Sequence, residues 1–192
     1  MIPKIQNPKS KIKNRLVVMG ASQGGLVAMQ RLLGQLSGKF ALPVVIVLHR
    51  GRQQGKLLTE LLQKTSPLTV VEAEDKTALI DGRIYVAPAD YHLLVDGNHL
   101  ALSTERPVNC ARPSIDVLFE SAAYAGAERL IAVLLTGAGS DGVKGLKTVK
   151  EHGGYIIVQD PQEAENPVLP KAALAEVEAD AVLTIDEMAR YL

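Results

Sequence analysis

Two runs of aliphatic residues, at 43–48 and 130–135, most constrain the fold of this chain. A strand with one wet face alternates apolar and polar residues, so a run without alternation predicts a strand buried on both faces. Apolar residues at helical spacing follow such runs: those at 26–36 come after the short run at 16–19, and those at 57–62 come after the run at 43–48. This order predicts an α/β fold: a doubly wound, mainly parallel sheet with helices on both faces.

One segment departs from the parallel pattern. Apolar runs at 92–95 and 99–102 flank Asp96-Gly97-Asn98, and an Asp-Gly pair between two such runs predicts an antiparallel β-hairpin. His92 and His99 lie in this hairpin, where we expect them to be solvated. We expect both to be structural, and His152 as well, because it ends a predicted helix.

Length and composition bound the possible functions. The 192 residues suffice for one domain, and we predict a flexible basic arm over 1–14 and a folded domain over 15–192. The single cysteine, Cys110, cannot form an internal disulfide, which favours a cytoplasmic location. No apolar run reaches the roughly 18 residues of a membrane span, so no membrane insertion is expected. Aromatic residues make up 4%, which argues against a nucleic-acid partner bound by base stacking.

The net charge of zero conceals two unequal parts. Residues 1–64 hold 11 Lys/Arg and one acid, whereas the other 128 residues hold 10 Lys/Arg and 20 acids. Either the two parts neutralise each other within one fold, or a basic rim attracts an acidic partner. The rim candidates are Arg50 and Arg52, with Arg31 and Lys56 as possible extensions.

The first candidate for chemistry is the turn Gly20-Ala21-Ser22-Gln23-Gly24-Gly25, which follows a predicted strand. It matches Gly-x-Ser-x-Gly, a sharp strand-to-helix turn that exposes a serine hydroxyl. Ser22 is then a nucleophile, and the N–H groups of Gln23 and Gly24 at the helix start could stabilise an oxyanion. The alternative is that Ser22 only caps the helix. A nucleotide site is disfavoured, because Ser22 replaces a glycine of the dinucleotide fingerprint.

His49 and Asp141 follow two of the predicted central strands, and ligands bind beyond the carboxyl ends of such strands. His49 suits a general base, although it could be an edge residue without function. Asp141 could orient His49, or it could cap the helix that follows it. Ser114 is predicted to cap a helix over 115–123. No His/Cys cluster has metal-ligand spacing, so neither a metal nor another cofactor is predicted.

Several blocks of the sequence together resemble the catalytic domain of the CheB family, the chemotaxis protein-glutamate methylesterases. The blocks are VVMGASQGG at 17–25, IVLH at 46–49, GRIYVAPADYHLLV at 82–95, RPSIDVLFESAA at 112–123, LLTGAGSDGVKGL at 134–146 and VQD at 158–160. The resemblance implies a Ser-His-Asp triad, whose members fall on Ser22, His49 and Asp141. These are the three residues that the strand ends had already indicated.

The sequence departs from the family pattern around this triad. Gln23 stands where the family usually has Thr, and Ala138 where it usually has Met. Arg50-Gly51-Arg52 replaces an apolar residue and a proline, and Val168-Leu169-Pro170 replaces Gly-Met-Pro. We therefore place Arg50, Arg52 and Ala138 at the rim of the substrate site.

The resemblance implies hydrolysis of glutamate γ-methyl esters on a chemoreceptor-like partner, and possibly deamidation of glutamine. Family members often carry an N-terminal receiver domain, and only about 15 residues precede the first strand here, so we expect a standalone catalytic domain. A monomer is favoured. Two alternatives stay open: an esterase or amidase of the same mechanism acting on a different protein, and a catalytically silent interaction module.

Overall fold

The structure is a computed structural model that describes residues 15–49, 57–126 and 129–192. The predicted arm at 1–14 and the rim candidates Arg50, Arg52 and Lys56 lie outside the described residues.

The described ranges contain nine strands and six helices. The strands are β1 (Leu16–Ala21), β2 (Val44–Leu48), β3 (Thr69–Glu72), β4 (Arg83–Val86), β5 (His92–Asp96), β6 (His99–Ser103), β7 (Leu130–Leu134), β8 (Tyr155–Gln159) and β9 (Ala181–Leu183). The helices are α1 (Gly25–Gln35), α2 (Leu57–Gln63), α3 (Ile115–Gly126), α4 (Val143–Glu151), α5 (Val168–Glu176) and α6 (Ile185–Tyr191).

Seven strands form one parallel sheet in the order β3-β4-β2-β1-β7-β8-β9. The central strands β1 and β2 are buried at every position, as their uninterrupted apolar runs predict. The chain runs from β1 to β2, crosses to the edge strand β3, places β4 between β3 and β2, and then returns to the other side of β1 at β7. The order of strands therefore reverses between β1 and β7, which is where ligands bind in doubly wound folds.

Two hydrophobic cores cover the two faces of this sheet. Successive residues of a strand point to opposite faces, so Val18 and Val45 lie in one core and Val17 and Val44 in the other. Helices α3, α4 and α5 pack on the first face, and α1, α2 and α6 on the second. The predicted doubly wound α/β class is confirmed.

The hairpin of β5 and β6 forms a separate antiparallel sheet, as the Asp-Gly turn predicts. The expectation that His92 is solvated is wrong, because its exposed fraction is 2%. Its Nε2 lies 3.1 Å from the Arg106 oxygen, and its Nδ1 accepts from the Ser114 N–H at 3.3 Å. The hairpin packs on α3, and this contact buries a side chain that the local pattern places at the surface.

A close packing contact brings the start of α3 to the end of β1. A side chain at Gly20 would lie 2.3 Å from the Ile115 side chain, and one at Gly142 would lie 2.7 Å from it. Ile115 therefore fits between two glycines, one in β1 and one in the turn after β7. The start of α3, the end of β1 and the turn that carries Asp141 meet at this point.

Within the three described ranges, no helix is long and apolar enough to cross a membrane.

Candidate active site

A cavity of about 800 Å³ opens at the carboxyl end of the sheet, beside the point where the strand order reverses. Ser22, Gln23, His49, Ala138 and Asp141 all line it. Gly24 lines a neighbouring cavity that shares Ser22 and His49. The proposed nucleophile, base and aspartate thus line one cavity together with Gln23 and Ala138, whereas Arg31 lies elsewhere, and Arg50, Arg52 and Lys56 lie outside the described residues.

Ser22 follows β1 in a tight turn. Its N–H donates to the Thr136 oxygen at 3.0 Å, and its carbonyl accepts from the Gly25 N–H at 2.9 Å. Gly24 has a φ of 77°, and a side chain there would meet Glu165 at 2.8 Å. The alternative role of Ser22 as a helix cap is wrong, because Gly24 occupies the cap position of α1 without a capping side chain. The half-buried Ser22 hydroxyl makes no hydrogen bond to another described residue.

The side chains of Thr136 and Asn166 hold this turn in place. The Thr136 hydroxyl donates to the Gln23 carbonyl at 3.0 Å and accepts from the Asn166 N–H at 2.8 Å. The Asn166 amide also donates to the Gln23 side-chain oxygen at 3.0 Å. Among the described residues, no acceptor binds the backbone N–H groups of Gln23 and Gly24. The turn is therefore anchored while two of its N–H groups stay available.

His49 follows β2 and lies between the Ser22 turn and Asp141. Its backbone N–H donates to the Ala21 oxygen at 3.1 Å, which holds it beside the Ser22 turn. Its Nε2 lies 2.7 Å from the Asp141 Oδ2. No hydrogen bond joins His49 to Ser22, although the two line the same cavity. The structure thus pairs the histidine with the aspartate and places the serine nearby.

Asp141 is 6% exposed and accepts hydrogen bonds from five donors. Oδ2 accepts from His49 and from the Ile115 N–H, each at 2.7 Å. Oδ1 accepts from the Ser114 hydroxyl at 2.7 Å, the Asn109 amide at 3.0 Å and the Asp116 N–H at 3.3 Å. These contacts satisfy a buried negative charge that would otherwise be costly.

The helices α3 and α4 cap each other through two carboxylates. Asp141, which precedes α4, binds the first N–H groups of α3. Asp116, in the first turn of α3, accepts from the N–H groups of Gly142 and Gly145 at 2.8 and 2.7 Å. The alternative that Asp141 caps its own helix is therefore wrong. Ser114 occupies the predicted cap position of α3, but its hydroxyl donates to Asp141, and the Ile115 and Asp116 N–H groups at the start of the helix bind that carboxylate.

The two carboxylates have opposite electrostatic environments. Burial alone would raise the pKa of Asp141, but the hydrogen bonds from His49, Asn109, Ile115 and Ser114 outweigh it, so the pKa lies below its ordinary value. Burial raises the pKa of Asp116 above its ordinary value, against the opposing hydrogen bond from Gly145. Asp141 is consequently ionised at neutral pH.

Asn109, Asp116 and Arg112 also lie at this site, although no local sequence pattern gives them a role there. Arg112 binds Asp90 Oδ1 through Nε and Nη2 at 3.1 and 2.7 Å, and it donates through Nη1 to the oxygens of Thr104 and Glu105. It thereby ties the loop that carries Asn109 to the cavity wall. Arg112 and Asp116 belong to the block RPSIDVLFESAA, one of the blocks that resemble the family, so the sequence offered a signal for these two residues. No such block contains Asn109.

Arg31 does not extend a free basic rim. It donates to Asp186 at 3.0 and 2.7 Å and to Glu163 at 2.7 Å. For Arg31, the interpretation is correct that basic residues within 1–64 neutralise acids in the rest of the chain.

The described ranges contain no group of three or more His, Cys, Asp or Glu side chains that could hold a metal ion. What the cavity offers chemically is a hydroxyl, an imidazole paired with an ionised carboxylate, and available N–H groups.

This fold and cavity define a class: doubly wound α/β proteins with a serine, a histidine and an aspartate at the ends of neighbouring parallel strands. Residues 17–192 match the family model described as CheB methylesterase. The chain belongs to the CheB methylesterase family, as its sequence blocks predict.

Relatives and a solved structure agree with this membership. A protein of Leptospira interrogans named putative protein-glutamate methylesterase/protein-glutamine glutaminase is 42% identical over 174 residues, which are 90% of each chain. A protein-glutamate methylesterase/protein-glutamine glutaminase 1 of Carboxydothermus hydrogenoformans is 39% identical over 97% of this chain, which spans 58% of that relative's length. The crystal structure of the Thermotoga maritima CheB methylesterase catalytic domain matches with a TM-score of 0.88 and 33% identity, over 94% of this chain and all of that one.

Proposed function

We propose that this chain is a serine esterase that hydrolyses glutamate γ-methyl esters on a chemoreceptor-like protein. The observation that carries the proposal is the 2.7 Å contact between His49 Nε2 and the ionised Asp141, in a cavity that Ser22 also lines. The names of the relatives, protein-glutamate methylesterase, supply the substrate class.

The contact with Asp141 supports a separate role for each ring nitrogen of His49. Because Nε2 binds Asp141, Nδ1 is the nitrogen of His49 left to accept the Ser22 proton. Ser22 Oγ attacks the ester carbonyl carbon as His49 takes this proton, and the same proton leaves with the expelled methoxide as methanol. Water then attacks the glutamyl-serine ester and passes a proton through His49 back to Ser22. The products are methanol and a glutamate carboxylate.

The oxyanion of each tetrahedral intermediate requires hydrogen-bond donors. The N–H groups of Gln23 and Gly24 lie at the start of α1 and have no acceptor among the described residues. Donors of this kind are aimed at charge that develops during reaction and contribute about 3–4 kcal/mol each in hydrolases. A glutamine amide gives a similar intermediate, so the same groups would support deamidation with release of ammonia.

Methanol release from methyl-labelled receptor membranes tests the proposal. We expect the wild-type chain to release labelled methanol and Ser22→Ala to reduce the rate by at least about 10³-fold, since the nucleophile is lost. Ser140→Ala is the matched control, because Ser140 lines the same cavity without a part in this mechanism. We expect this control to keep its turnover, with any effect confined to KM.

Two outcomes would favour the alternatives. Hydrolysis of small esters without action on receptor would indicate an esterase for a different protein. A chain that hydrolyses neither, with an intact fold, would be a silent interaction module. The cytoplasmic location, the monomeric state, the catalytic domain over 15–192 and the substrate rim at Ala138, Arg50 and Arg52 stay predictions.

A further inference from the structure

Asn109 contacts both buried carboxylates at the site. Its Nδ2 donates to Asp116 Oδ2 at 2.7 Å and to Asp141 Oδ1 at 3.0 Å, so both amide hydrogens are engaged. We propose that Asn109 is a positioning residue, which acts through Asp141 to orient His49 and to set its basicity. The catalytic part of this inference rests on the proposed function, whereas the positioning part concerns only the three side chains.

The backbone conformation at Asn109 favours asparagine and allows this contact. Residues 108–111 form a tight turn, closed by hydrogen bonds of 3.1 and 2.8 Å between Val108 and Ala111. Asn109 has a φ of 50° and Cys110 a φ of 60°, in the left-handed region that few residues other than glycine and asparagine adopt readily. An asparagine here combines the required backbone with a side chain that supplies two donors.

The Asn109 amide forms a bridge between two carboxylates that repel each other. Asp116 and Asp141 are 3% and 6% exposed, and a neutral amide that donates to both lessens the cost of holding them together. The other charged or titratable groups nearby are His49 after β2, His92 on β5, Cys110 beside Asn109, Lys144 on α4, and the Asp90–Arg112 pair on the cavity wall. Of these, His49 is the one that contacts Asp141 directly.

Loss of the bridge should make Asp141 a stronger acceptor. With one donor fewer, its negative charge is less stabilised, so it stabilises protonated His49 more strongly. The His49 imidazole should then take up its proton at a higher pH. The acid limb of the pH profile of kcat/KM, which reports this proton, should move in the same direction.

Asn109→Gly is the sharpest variant, because glycine keeps the left-handed backbone and removes the amide. We expect the NMR titration midpoint of the His49 ring to rise by roughly 0.5 pH units. Turnover of a small methyl ester should fall about tenfold with little change in KM. Lys76→Gly is the matched control, since Lys76 is exposed, has a φ of 61° and lies outside the cavity lining. It should change neither quantity.

A second variant tests the direction of the effect. Asn109→Asp keeps a residue that tolerates this backbone but puts a third carboxylate beside Asp116 and Asp141. The His49 titration should rise further than in Asn109→Gly. An unmoved midpoint in both variants, or a loss of activity confined to KM, would overturn the proposal. The NMR readout needs no activity, so a wild-type chain that releases no methanol but shows these shifts would overturn the proposed function and support the positioning role.

Discussion

The two ends of the cavity differ in how tightly their polar groups are held. Asp141 is almost fully buried and accepts five hydrogen bonds, whereas the Ser22 hydroxyl is half-buried and bonds to no other described residue. The backbone of Ser22 is nevertheless anchored, through Thr136 and Gly25.

This difference follows from what each group must do. A buried charge is tolerated only when its hydrogen bonds are satisfied, so the carboxylate is surrounded by donors. A nucleophile must have a free hydroxyl and a fixed position, so its turn is anchored through groups other than the hydroxyl: its own backbone and the neighbouring Gln23. Removing Asp141 should therefore affect folding, whereas removing the Ser22 hydroxyl should affect only chemistry.

The largest expected effect is on stability, in Asp141→Ala. Five donors lose their acceptor in a buried site, so we expect the free energy of unfolding to fall by about 3–5 kcal/mol. Ser22→Ala should change it by less than about 0.5 kcal/mol. Urea unfolding of the two variants beside the wild type measures both values, and equal losses would contradict the comparison.

Thr136→Val weakens the serine end while nearly preserving side-chain volume. It leaves the Gln23 carbonyl and the Asn166 N–H without their partner, which should cost about 1–3 kcal/mol of unfolding free energy. Ester turnover should also fall, because the Ser22 turn loses one of its anchors. Thr148→Val is the control, since the Thr148 hydroxyl donates to a carbonyl within its own helix, and it should affect neither property.

A smaller effect concerns how folding stability depends on pH, which should differ in direction between the two carboxylates. Because the pKa of Asp141 is lowered, its ionised form stabilises the fold above about pH 4, and this is lost as the pH falls through the lowered pKa. Because the pKa of Asp116 is raised, its ionisation reduces stability as the pH rises from about 4 to that raised pKa.

Asp116→Asn should therefore cost about 1 kcal/mol or less at neutral pH, and less there than near pH 4. The cost of Asp141→Asn should instead grow as the pH rises from about 3 to 5 and then level off. Thermal or urea unfolding across this range measures both trends. Parallel trends in the two variants would show that the two carboxylates have the same environment.

The smallest expected effect is that of Arg31→Gln. Because Asp186 and Glu163 already bind this guanidinium, the change should leave the salt dependence of receptor demethylation as it is in the wild type. Demethylation rates at low and high salt measure this. A clear loss of salt dependence would restore Arg31 to the predicted basic rim.

The sequence predicted the parts of the fold and site that local pattern determines. Uninterrupted apolar runs identified β2 and β7, and the rule that ligands bind at strand ends led to Ser22, His49 and Asp141. Burial of His92 depends on packing between the hairpin and α3, which hydropathy alone does not predict.

The donors around Asp141 were missed for a similar reason. Asn109 and Asp141 are 32 residues apart, and Asp116 binds amides 26 and 29 residues away. Side-chain hydrogen bonds of this separation leave no periodicity in the sequence. Ser114 showed a capping pattern, and only the structure shows that its hydroxyl is a donor to a different helix's carboxylate.

The mutual capping of α3 and α4 also links the catalytic aspartate proposed here to the local unfolding of the domain. If the first turn of α3 opens, Asp141 loses two N–H donors, and if α4 opens, Asp116 loses the N–H groups of Gly142 and Gly145. Neither helix start can fray without exposing a charged group of the other. The four amides should consequently exchange with solvent through one shared opening, so this part of the site is lost or kept as a single cooperative unit.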